Sequence, residues 1–75
     1  MFNLIEKQID EVKEKKDRAV MSLSTGQAIA EEMADAKNYE ELADVYESLA
    51  YLTNLINHYD NQIKSLENVQ KNLMR

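Results

Sequence analysis

The chain has 75 residues, a net charge of −5 at pH 7, one Gly, no Pro and no Cys. That length allows one domain, residues 1–75, with a small core that calls for a staple or a partner. Without Cys it has no disulfide framework and no thiol chemistry.

The first predicted element starts near Asn3 and runs to about Ala36. Its apolar positions alternate three and four apart: Phe2, Ile5, Ile9, Val12, Lys16, Ala19, Leu23, Gly26, Ala30, Met33. That spacing is one face of a helix. Lys16 interrupts the stripe; its stem can lie over Tyr59, its partner position on the second helix, while its ammonium reaches Asp60. The segment Ser22-Leu23-Ser24-Thr25-Gly26 is poor in helix formers. A bend there, or a break with Ser24 as N-cap and Gln27 completing a capping box, is expected.

The turn is Lys37-Asn38-Tyr39, with Asn38 placed to cap the second helix and Glu41 at the third position of a capping box. The second predicted helix runs from Tyr39 to about Leu73. Its stripe has the same phase: Leu42, Val45, Leu49, Leu52, Ile56, Tyr59, Ile63, Leu66, Gln70, Leu73. Set antiparallel, partner numbers sum to 75, as with Gly26 and Leu49 or Ile9 and Leu66. The fold class is therefore all-α: an antiparallel hairpin of two long helices. Two helices enclose no interior, so self-association or a partner is expected to complete it.

Charge is unevenly placed. Residues 1–18 balance, residues 19–60 carry one Lys against eight carboxylates, and residues 61–75 carry a small positive excess. An acidic turn region repels phosphate, so no nucleic-acid partner is expected. No apolar run approaches the roughly 20 residues of a membrane span. Met1–Ile5 is too short and too soon charged for a signal peptide, and a cytoplasmic protein is expected.

Catalytic chemistry finds little footing. The single His, His58, has no Glu-x-x-His pair and lies outside the seam. No phosphate loop and no nucleophile with an adjacent base are present, so no enzyme, cofactor or metal site is expected. Surplus apolar residues remain at the seam's edges. Val20, Ile29, Tyr46 and Leu55 are the candidate partner-binding residues.

The second arm carries Asp35-Ala36-Lys37-Asn38-Tyr39 at the turn, then Glu47-Ser48-Leu49, then Asn54-Leu55-Ile56-Asn57-His58-Tyr59. This resembles the second half of the small type III secretion needle co-chaperones. The resemblance implies a cytoplasmic helical hairpin. With a larger tetratricopeptide-like helical chaperone, it would hold the needle subunit soluble before export. Two other functions fit the residues. One is a homodimeric four-helix-bundle module. The other is a small acidic inhibitor of phage type, mimicking nucleic acid through Glu31, Glu32, Glu40, Glu41 and Asp44.

Overall fold

The computed structural model describes residues 2–74, with side chains from Leu4 onward. Two helices, α1 (Phe2–Asp35) and α2 (Tyr39–Leu73), pack antiparallel as a hairpin. The rod measures 57 × 14 × 12 Å between Cα atoms. All described residues are helical apart from the turn, residues 36–38, and Met74 just past α2.

The seam follows the three-four spacing. Every α1 stripe position from Ile5 to Met33 is buried or half-buried, and so is every α2 position from Leu42 to Gln70. The register is visible at one contact: a Cβ built on Gly26 would lie 2.7 Å from Leu49 Cδ2. Gly26 thus lets the helices approach closely. Leu73 departs from expectation and is 46% exposed, where α2 ends at the open mouth of the hairpin. The side chain of its expected partner, Phe2, lies outside the described set.

Coverage is thin. Ile9, Ala19, Ala30, Leu42 and Ile63 are the buried apolar residues, at 6–9% exposure, and among the described residues no large side chain falls below 2%. The Lys16 layer closes as expected: its ammonium lies 2.6 Å from Asp60 Oδ1 across the seam. A lysine thereby keeps its charge at a seam position.

Two local expectations are narrowed or corrected. Of the bend or break expected at Ser24–Gly26, the break does not occur, because α1 runs unbroken to Asp35. Packing of this segment against α2 outweighs the weak propensity of Ser, Thr and Gly. The capping box at Asn38 does not form either, and Asn38 makes no side-chain capping bond. The reason lies in how α1 ends. The Asn38 amide donates to Met33 O at 2.9 Å and the Lys37 amide to Ala34 O at 3.1 Å, with Lys37 at φ 59°. This is a Schellman closure, which uses a left-handed residue just past the helix. It occupies the Asn38 amide, so Glu41 has nothing to bond there. The Asn38 carbonyl then accepts from the Leu42 amide at 3.0 Å and starts α2.

Candidate protein-binding surface

A two-helix rod has two grooves, one on each side of its seam. Residues seven apart on a helix return to nearly the same side. One groove near the turn is lined by Gln27, Ala30, Glu31, Ala34, Tyr46 and Leu49. Val20 is seven residues before Gln27, so it belongs to this side. The other groove is lined by Met21, Ser22, Thr25, Gly26, Ile29, Val45, Ser48, Leu49 and Leu52, with Asp44 at its turn end. Leu55 is seven residues after Ser48 and belongs to that side.

The four candidate binding residues therefore do not form one face. Val20 and Tyr46, 43% and 56% exposed, flank one groove, and Ile29, 40% exposed, lines the opposite one. Leu55 is only half-exposed. Identical distance from the seam in number does not mean the same side of it: Val20 follows its seam neighbour Ala19, while Ile29 precedes Ala30. The Ile29 side gains two exposed residues that the candidate set lacked, Met21 at 70% and Tyr51 at 66%. Extending the seven-residue steps outward from the seam finds Tyr51, which shares its side with Asp44 and His58.

The total accessible surface is 5,877 Å². A compact protein of 8.7 kDa exposes about 4,700 Å². The excess, about 1,200 Å², is spread along both sides of the rod and reflects how little of the apolar surface two helices cover.

Electrostatics adds one local feature. The hydrogen bond to Asp60, and then the charge of that carboxylate, hold the Lys16 ammonium above the usual lysine value of 10.5. On the outer side of α1, Arg18 pairs with Glu14 one turn back, an exposed pair of little energetic weight. The turn-region carboxylates do not make one strip: Glu31 lines the Tyr46 groove, while Asp44 lines the Ile29 groove. His58 is exposed, its ring centroid 6.0 Å from that of Tyr59, beside a groove with Glu11, Lys15 and Gln62. Among the described residues no three His, Asp or Glu side chains gather into a possible metal site, and no helix is long and apolar enough to cross a membrane.

These grooves are shallow and lie along a rod, so they suit an elongated partner such as a helix better than a small molecule, which needs a concave pocket. Compared with protein-family models, curated proteins and solved structures, the chain matches none.

Proposed function

We propose that this chain is a non-catalytic helix-docking module, a co-chaperone that helps a larger helical chaperone keep a type III secretion needle subunit soluble in the cytoplasm. The observation that supports this reading is the apolar surface left on the open hairpin, above all Val20 and Tyr46 beside the groove at Gln27 and Ala34. An amphipathic helix of the chaperone laid there would complete a three-helix layer. Tyr46 is the natural anchor, since Tyr offers a large contact area with a polar tip and is enriched at binding hot spots. Binding would stabilise the chaperone by mass action, which needs neither catalysis nor a cofactor. The choice of partner rests on the likeness of the Asp35–Tyr59 segment to the needle co-chaperones.

The test is titration calorimetry against the tetratricopeptide-like chaperone of a type III secretion system from the same genome. Tyr46→Ala is expected to weaken binding at least tenfold while helicity is kept. Charge reversal at Glu40 and Glu41 is expected to matter less, with little dependence on salt. If charge reversal abolishes binding and Tyr46→Ala does not, the chain is an acidic mimic instead.

A further inference from the structure

The Ile29 side has a pattern of its own. Its centre carries no charge and alternates bulk with hollow. Ile29 on α1 sits across the groove from Ser48 on α2. Leu55 on α2 falls, by the same register, beside Ser22 on α1. The Ser48 hydroxyl is already committed, donating to the Asp44 carbonyl of its own helix at 3.3 Å. An apolar side chain can therefore enter that hollow without stranding a polar group.

On this side, opposite charges flank the uncharged centre. Toward the open end lie Lys15, seven before Ser22, and Arg18, seven before Thr25; His58 is there too. Glu11 lies further out on the same side. Toward the turn lie Asp44 in the groove wall, Glu32 seven after Thr25, and Glu41 seven before Ser48.

We propose that two copies of this chain pack antiparallel through the Ile29–Leu55 side, forming a two-fold symmetric four-helix bundle. Ile29 and Ser22 are seven residues apart, and so are Leu55 and Ser48. A two-fold axis crossing the rod midway, at the level of Thr25 and Tyr51, therefore sets each large residue over the other copy's serine. Such an interface is isologous and self-complementary. Shape alone would also accept the parallel arrangement, in which α1 faces the other copy's α2 at the same level. Charge decides between them. The parallel arrangement puts Glu32 against Asp44 of the second copy, and like charges across an interface oppose binding. The antiparallel arrangement puts Arg18, which pairs with Glu14 within its own helix, over Glu32, and sets the His58 ring, a hydrogen-bond donor, over Asp44. One side of a rod 57 Å long and 14 Å wide presents about 800 Å², the area that each partner contributes to a standard interface. The proposal is independent of the co-chaperone reading, because it uses the opposite side of the seam from Tyr46.

Sedimentation equilibrium on the full chain tests it. The expected species is a dimer of about 17 kDa, twice the 8.7 kDa chain, at tens of micromolar. Ile29→Glu should raise the dimer dissociation constant at least 100-fold with helicity intact, and Tyr46→Ala should leave it unchanged. Thr25→Cys reads the orientation: the chain has no Cys, and the antiparallel axis sets this residue against its own copy. Oxidation should yield a disulfide-linked dimer. Glu32→Arg should weaken the antiparallel dimer and would strengthen a parallel one. A monomer at 100 µM, a dimer broken by Tyr46→Ala but not by Ile29→Glu, or a dimer strengthened by Glu32→Arg each overturns the proposal.

Discussion

Ile9→Ala tests whether the seam holds the hairpin together. Ile9 is 6% exposed, and the change removes three carbons. At about 0.8 kcal/mol per buried methylene, the loss is about 2.4 kcal/mol. The seam of a lone hairpin lies close to solvent, so water can follow the truncation and the added cavity term stays small. The value therefore falls near the low end of the usual range for buried truncations. A chain of 75 residues has a total stability of about 4–11 kcal/mol. This one substitution then removes about a fifth to three-fifths of it, and lowers the melting temperature by about 10–19 °C. Leu4, 61% exposed, is the control, and Leu4→Ala should cost less than about 1 kcal/mol. The assay is urea unfolding followed by circular dichroism, with all variants at one protein concentration so that any association contributes equally. Equal midpoint shifts for Ile9→Ala and Leu4→Ala would refute the assignment of faces.

Two further outcomes come from the structure. The Lys16 ammonium has a folded value above 10.5, so its ion pair with Asp60 stabilises the fold fully below that pH and is lost as pH rises through the folded value. Melting curves from pH 9 to 12 should therefore fall more steeply for the native chain than for Asp60→Asn, which shares the same tyrosines; parallel curves would show that the pair contributes nothing. Lys37 holds a left-handed conformation at φ 59°. Lys37→Gly should raise stability by up to about 1 kcal/mol, and Lys37→Val should lower it by about 1–2 kcal/mol, since a β-branched side chain tolerates that conformation worst. Thermal melts of both variants check the closure of α1.

The stripes from Ile5 to Met33 and from Leu42 to Gln70 could be read from the sequence because helical periodicity is local: each position is set by the neighbours three and four residues away. The equal length of the arms and the common phase then gave the hairpin and its register, down to Gly26 against Leu49. The Lys16–Asp60 pair was legible for the same reason, as a long cation one step from a carboxylate on the facing helix. Three features needed the tertiary structure. Local propensity at Ser22–Gly26 argues for an interruption, and only packing against α2 keeps α1 continuous. The Asn38 cap looked available until the Schellman bond to Met33 occupied its amide. The sides of the groove were decided only by docking one helix on the other. Periodicity tells how far a residue lies from the seam, but the handed packing of two helices decides which residues share a wall. That packing separates Val20 and Tyr46 from Ile29, and places Ile29 with Ser48, Tyr51 and Leu55.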